Sequence, residues 1–165
     1  MKESKHLWSY EFLEKFRGES EIPGKNHNRI IQFLQEVAVE KLGLYHRLDD
    51  TDEVPHSSLT VIASVVIMHP HLIPVLKRYK INGMAKSWLN LAAPREYMPS
   101  IGDILIFHRG NDPRFGHVGW NEGEYELQNI FNVYNANQSN MFRTSAYNIG
   151  KLAGVVDMRA LVKMR

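Results

Sequence analysis

The sequence predicts a single α+β domain, with helices in its N-terminal part packed on an antiparallel β-sheet in its C-terminal part. Apolar residues recur every three or four positions as far as residue 91, which is typical of amphipathic helices. From residue 99 the apolar residues form short runs separated by turn-forming residues, which indicates strands. A chain of 165 residues buries one core, so we expect residues 1–165 to form one domain.

The first two helices are predicted from their apolar faces. Residues 6–17 carry leucine, tryptophan and phenylalanine at helical spacing, and Gly18 is placed to end this helix. Residues 21–28 are rich in proline, glycine and asparagine, which indicates a turn. A second helix is predicted over residues 30–38, with Asn28 as its N-cap.

A third, largely buried helix is predicted over Ser57–Met68, because this run is mostly apolar and follows Pro55, which suits the start of a helix. Its many valines and isoleucines would also permit a strand, but we favour the helix. Residues 69–71 break the run, and residues 72–81 add a turn or short helix. Ala85–Leu91 is predicted to be a short amphipathic helix.

The C-terminal part is predicted to form the strands of the sheet. Residues 121–124, Asn-Glu-Gly-Glu, have the composition of a hairpin turn between two of these strands. The predicted strands cover residues 104–107, 116–120, 125–133, 141–147 and 152–158.

Composition excludes several classes of function. The 20 lysines and arginines against 18 acidic residues are scattered along the chain, so we expect no nucleic-acid partner. No apolar run approaches the roughly 20 residues of a membrane-spanning helix, so we expect no membrane insertion. The chain has no cysteine, which excludes disulfides, thiolate metal sites and thiol nucleophiles.

The histidines do not predict a metal site. His56, His69, His71 and His108 lack the spacing and the carboxylate or thiolate companions of a zinc site. We therefore expect neither a metal nor a cofactor. The first residues are charged and lead into an amphipathic pattern without the apolar core of a secretory signal.

Seven short segments, taken in order, resemble the CHAP-like papain-fold amidases common in bacteriophages and prophages, which cut peptidoglycan peptides. The resemblance extends from the first helix to Val156. The segments are residues 21–24 (EIPG), 27–30 (HNRI), 52–55 (DEVP), 85–89 (AKSWL), 102–104 (GDI), 116–119 (GHVG) and 137–139 (NQS).

The resemblance implies a papain-like amidase fold and a set of catalytic positions. In that family a cysteine at the N-terminus of the buried helix is the nucleophile, activated by the helix dipole and a nearby imidazole. Here Ser57 occupies the nucleophile position, within His56-Ser57-Ser58 where the family has Trp-Cys-Ser. The resemblance places His117 at the general-base position and Asn137 at the position that orients it, with Asn135 as a weaker candidate.

Three interpretations of Ser57 follow. It is a serine in the first turn of a helix at a site without activity, a deliberate cysteine-to-serine change that traps an enzyme, or a working serine nucleophile. We favour the inactive site, because His56 and the Asn135-Ala136 pair, where the family usually has glycines, also depart from the pattern.

The expected function is therefore that of an inactive amidase-like domain in a phage virion. It would be part of a tail, baseplate or spike and would have peptidoglycan or other virion subunits as partners. It would be located in the virion, or in the host cytoplasm before assembly. The alternatives are an active peptidoglycan hydrolase and an immunity or toxin-related module that binds an amidase.

Overall fold

The structure confirms the α+β class. The computed structural model describes residues 4–20, 28–44, 57–125, 129–135 and 141–165. The helices are α1 (Trp8–Glu14), α2 (Arg29–Leu42), α3 (Ser57–Met68), α4 (Ile73–Arg78) and α5 (Met158–Leu161). The strands are β1 (Ile104–His108), β2 (Gly116–Tyr125), β3 (Ile130–Asn135), β4 (Arg143–Asn148) and β5 (Leu152–Val156). Short 3₁₀ helices cover Lys5–Leu7, Pro70–Leu72, Ala85–Leu91 and Ile149–Lys151.

The five strands form one antiparallel sheet in the order β4-β3-β2-β1-β5. In the pairing of β1 with β2, Phe107 lies opposite His117. The pairing of β2 with β3 starts at Trp120, which lies opposite Tyr134. Strand β2 itself begins at Gly116, four residues before Trp120.

Helix α3 is the centre of the fold, because it is buried along most of its length. Every residue from Ser57 to Val66 is buried. The helix contacts α1, α2 and strands β2 and β3. A helix that is apolar around its circumference needs neighbours on all sides. The prediction of a helix over Ser57–Met68, rather than a strand, is confirmed.

The predicted N-cap of α2 is also confirmed. The side-chain oxygen of Asn28 accepts hydrogen bonds from the backbone N–H groups of Ile30 at 2.9 Å and Ile31 at 3.3 Å. At the other end, Gly43 has a φ of 64°, the left-handed conformation that commonly ends a helix. Both ends of α2 are thus set by local residues.

The predicted hairpin turn at residues 121–124 is wrong, because these residues lie inside β2 (Gly116–Tyr125). They form a bulge that shifts the register with β3 between Asn121 and Gly123. The Asn121 side chain accepts a hydrogen bond from Gly123 N at 3.0 Å, and Gly123 has a φ of 129°. Asparagine and glycine favour bulges and turns for the same reasons, so composition does not separate the two.

The predicted strand at residues 125–133 is interrupted by a turn at Asn129.

Three other predictions are corrected at their boundaries. The first helix ends at Glu14, and residues 15–18 form turns instead of continuing it. Ala85–Leu91 is a 3₁₀ helix instead of an α-helix. The last strand ends at Val156, and Asp157 then caps α5 by accepting hydrogen bonds from two backbone N–H groups. Capping by aspartate is a local signal that the alternation of apolar residues does not reveal.

The sheet carries apolar side chains on both of its faces, as expected from the alternation of residues along a strand. Ile104, Ile106 and Val118 belong to the main core, which also contains the buried residues of the helices. A smaller second-face cluster consists of Leu105, Phe107, Phe131, Val133 and Val155.

The described residues include no single helix that is long and apolar enough to cross a membrane. Helix α3 and residues 70–78 meet the length and composition criteria only together, and they are bent by 118°.

Asp103 connects the start of β1 to α5. Its carboxylate is fully buried and accepts hydrogen bonds from the Tyr97 hydroxyl at 2.8 Å, Ser100 N at 2.7 Å and Met158 N at 3.0 Å. A buried carboxylate is stable only when such donors replace water.

We predict that Asp103→Ala lowers the free energy of unfolding by about 3 kcal/mol, because three donors lose a charged acceptor. Urea denaturation followed by circular dichroism measures this change. The control Glu40→Ala, at an exposed position of α2, should leave the unfolding midpoint within error of wild type. Equal midpoints for the two variants would show that the Asp103 contacts contribute nothing.

Candidate active site

Ser57 is the first residue of α3 and lies against the edge of β2. Its side chain is nearly buried, and the residue is 7% exposed. The hydroxyl oxygen accepts a hydrogen bond from the backbone N–H of Val118, with 3.4 Å between nitrogen and oxygen. This distance is long, so the bond is weak. His56, which precedes the helix, lies outside the described residues.

Both backbone polar groups of Val118 bond to side chains at this site. The pairing of β2 with β3 starts at Trp120. The carbonyl of Val118 accepts a hydrogen bond from the side-chain amide of Asn135, the last residue of β3. Ser57 and Asn135 thus provide hydrogen-bonding partners for the N–H and the C=O group of Val118.

Asn135 also anchors the first turn of α3. Its side-chain N–H₂ group donates to the Ser57 carbonyl at 2.9 Å, and its side-chain oxygen lies 2.8 Å from the Thr60 hydroxyl. That hydroxyl is also 2.9 Å from the Ser57 carbonyl, and its single hydrogen serves one of the two oxygens at a time. Asn135 and Thr60 are fully buried. The side-chain polar groups of Asn135 and Thr60 are therefore paired inside the protein.

His117 is next to Val118 in β2, but its side chain lies on the other face of the sheet. It is opposite Phe107, a member of the second-face cluster. Its ring stacks on that of Tyr147, with 5.2 Å between centroids and 7° between planes. Val118, by contrast, packs in the main core with α3. No hydrogen bond joins His117 to Ser57, and within the described part of the chain the buried Nε2 atom of His117 has no partner.

Burial lowers the pKa of His117 from its ordinary value of 6.5 to about 3, and the positive charge of Arg109 adds to this effect. The imidazole is therefore neutral at pH 7. A general base is most effective when its pKa is close to the working pH. An imidazole with a pKa of about 3 is a poor acceptor for the proton of a serine hydroxyl.

The structure therefore brings two of the four candidate residues into direct contact. Ser57 and Asn135 are joined by a hydrogen bond, whereas His117 bonds to neither. Asn137 lies outside the described residues. The Asn135 amide points to α3 and to the Val118 carbonyl, so in this arrangement it anchors a helix instead of orienting an imidazole.

Sequence reasoning missed two residues of the site. Thr60 lies one helical turn after Ser57, so it shares a helix face with that residue, and this spacing was an available signal. Tyr147 covers the His117 ring from β4. Its role depends on strand order, which local patterns do not specify.

No group of three or more histidine, cysteine, aspartate or glutamate side chains that could hold a metal ion occurs in the described ranges. His69 and His71 instead make ring contacts, His69 stacking on Trp8 with 5.8 Å between centroids and meeting His71 edge-on. Lys86 Nζ lies 2.6 Å from His108 Nδ1. His69, His71 and His108 therefore contact neighbouring side chains, and in the described ranges they do not belong to a group that could hold a metal ion.

Comparison of the chain with protein-family models, with curated proteins and with solved structures gives no match.

We predict that His117 makes the protein less stable as the pH falls from about 6.5 towards 3. The folded-state pKa of His117 is lowered, so in this window the unfolded chain takes up a proton that the folded chain does not. The free energy of unfolding then falls by up to about 1.4 kcal/mol per pH unit. Urea denaturation at several pH values should show a shallower slope for His117→Phe, which keeps a ring against Tyr147.

The control is Phe115→Leu, at an exposed position directly before β2, which alters an aromatic side chain without changing a titratable group and should keep the wild-type slope. Parallel profiles for wild type and His117→Phe would contradict the burial of a neutral His117.

We also predict that Asn135 matters more for stability than Ser57 does. Asn135→Ala removes the bonds to two carbonyls and to Thr60, so it should lower the free energy of unfolding by about 3 kcal/mol. Ser57→Ala removes one long hydrogen bond and should have an effect below about 1 kcal/mol. Urea denaturation of both variants tests the order, and a larger loss for Ser57→Ala would reverse our assignment.

Proposed function

We propose that this chain is a catalytically inactive domain of the CHAP-like, papain-fold amidase type that serves as a component of a phage virion. In a tail, baseplate or spike it contacts the cell wall or neighbouring subunits. The observation that carries the proposal is the separation of Ser57 from His117: the serine faces α3 and the Val118 peptide, and the imidazole stacks on Tyr147 across the sheet.

The order of the elements supports the amidase-type ancestry. A buried helix with Ser57 at its N-terminus precedes an antiparallel sheet. His117 lies near the start of β2, and Asn135 ends the next strand. The resemblance implies this order of nucleophile, base and orienting residue, with Asn135 as the weaker candidate for the last position and Asn137 outside the described residues.

The chemistry at Ser57 supports inactivity. A serine hydroxyl needs a base within hydrogen-bonding reach, because it has no accessible anion near neutral pH. His117 makes no hydrogen bond to it, and burial lowers the pKa of His117 to about 3. Removing the nucleophile of a serine protease costs on the order of 10⁶ in kcat, so the loss of the family's cysteine is severe.

The surface beside the site supports a binding role. Lys86 and Arg109 flank the hairpin between β1 and β2, and no carboxylate of the described residues forms an ion pair with either. Phe115, which directly precedes β2 in the loop of this hairpin, is 51% exposed. Cations beside an exposed aromatic ring suit a partner that carries carboxylates and apolar groups, as peptidoglycan stem peptides and protein subunits do.

The second candidate is an active peptidoglycan hydrolase, working through serine or carrying a cysteine-to-serine change. It is favoured by the position of Ser57 at the N-terminus of a 12-residue helix, where the dipole would stabilise an anion. The two candidates make opposite predictions for a variant with cysteine at position 57.

We predict that neither the wild type nor Ser57→Cys releases soluble fragments from purified peptidoglycan. A thiol at position 57 would still lack hydrogen bonding to His117, whose pKa is low. In one sedimentation assay, the supernatant is analysed for released amino groups and the pellet for bound protein. The bound fraction distinguishes contact with the wall from contact with other subunits.

Ser58→Cys is the matched control for a new thiol at a neighbouring buried position. Fragment release by Ser57→Cys that is absent from Ser58→Cys, and that His117→Ala abolishes, would replace our proposal with the active hydrolase.

A further inference from the structure

Residues 5–8, which we call the N-terminal segment, contact two other parts of the chain through histidines. The Trp8 ring stacks on the imidazole of His69, with 5.8 Å between centroids and 6° between planes. His69 lies between α3 and the 3₁₀ helix that follows it. On another side of the segment, His6 Nε2 lies 3.4 Å from Nε of Arg159 in α5. The docking of the segment thus depends on one histidine within it and on one opposite it.

The contact between His6 and Arg159 requires a neutral imidazole. The guanidinium is always charged and only donates, so its Nε–H group donates to His6 Nε2. A protonated imidazole carries a hydrogen on both nitrogens and has no acceptor left. Protonation of His6 would therefore replace this hydrogen bond by two donors and two positive charges that face each other.

The stack of His69 on Trp8 also favours a neutral imidazole. His69 is only 3% exposed, so a charge on it would lose most of its hydration. The ring of His71 meets it edge-on at 6.0 Å, and Lys5 Nζ lies 5.7 Å from the centre of the Trp8 ring. The attraction of an imidazolium to an indole face is weaker than the cost of burying a charge without a counter-ion.

The charges around the two histidines act in the same direction. Burial is the main cause that lowers the pKa of His69 below its ordinary value of 6.5, and His71 and Lys5 add to it, whereas a hydrogen bond to the Lys5 backbone opposes it. Burial also lowers the pKa of His6, and Arg159 adds to it. Three carboxylates oppose the lowering at His6: Asp103, Asp157 and Glu11. Docking is therefore fully favoured above pH 6.5 and is lost as the pH falls below it.

The part of α1 that follows the segment is held by contacts without histidine. Ser9 and Leu13 are fully buried. The Tyr10 hydroxyl donates to Glu122 at 2.9 Å, and the Tyr134 hydroxyl donates to the Leu13 carbonyl at 2.9 Å. Loss of the histidine contacts would therefore detach residues 5–8 and leave α1 in place.

We propose that the N-terminal segment is an acid-sensitive latch. Neutral His6 and His69 hold it closed, and their protonation detaches residues 5–8 while the rest of the domain stays folded. Because two protons are taken up, the equilibrium constant for detachment rises by up to about 100-fold per pH unit below pH 6.5. This inference does not depend on the proposed amidase-type ancestry, because it concerns contacts outside the candidate site and is measured without any cell-wall substrate.

Fluorine NMR of the full chain labelled with fluorotryptophan tests the proposal. The chain has three tryptophans, and the variant Trp8→Phe identifies the signal of Trp8. Between about pH 7.5 and 4.5, a range that spans the ordinary pKa of histidine, the Trp8 signal should move to its position in the unfolded chain. The signals of Trp88 and Trp120, which are fully buried, should stay in place.

Two variants test the role of each histidine. His69→Phe keeps a ring against Trp8, and His6→Gln keeps an acceptor for Arg159, but neither new side chain takes up a proton. In each variant the detachment constant should rise by only about tenfold per pH unit, against up to about 100-fold in the wild type. The matched control is His117→Phe, which removes a buried histidine elsewhere in the fold and should keep the wild-type dependence of the Trp8 signal.

Two results would overturn the proposal. The first is a Trp8 signal that moves only together with those of Trp88 and Trp120, since this would report unfolding of the whole domain. The second is a wild-type pH dependence of the Trp8 signal in both His69→Phe and His6→Gln. The positions of the Trp88 and Trp120 signals also show whether each variant is folded.

Discussion

The burial of α3 is the constraint on which the rest of the structure depends. The helix is apolar around its circumference, so it is stable only when other elements cover it on all sides. Helices α1 and α2 and the sheet provide this cover. The arrangement drives the N-terminus of α3 into the end of the sheet, where the peptide groups of its first turn lose water. At this junction the Asn135 amide donates to the Ser57 carbonyl, and the Thr60 hydroxyl lies within hydrogen-bonding distance of the same carbonyl.

The same hydrogen bonds decide what the site can do. In a catalytic arrangement, the polar groups around the nucleophile are held ready for a substrate. Here the Ser57 carbonyl, the Val118 peptide and the Asn135 amide bond to each other. His117 is adjacent in sequence to Val118, but the alternation of the strand sends its ring to the opposite face. The N-terminus of α3 is therefore a tightly packed junction and not an open set of catalytic groups.

Local patterns in the sequence predict the fold well where the cause is local. The apolar run of α3 and the N-cap at Asn28 are visible in short stretches of residues, and both are confirmed. The bulge at Asn121 is missed, because its residues have the composition of a turn. The contact of Asn135 with Ser57 spans 78 residues of sequence. It depends on how α3 packs against β2 and β3, and no local pattern specifies that.

The central claim is that the serine and the imidazole do not act as a pair. Covalent labelling of Ser57 tests this claim most directly. A fluorophosphonate reacts with a serine only when a base activates its hydroxyl. Intact mass spectrometry after hours of incubation should show unmodified protein, under conditions that label a serine hydrolase standard completely. A stoichiometric adduct on Ser57 that is lost in His117→Phe would contradict the account.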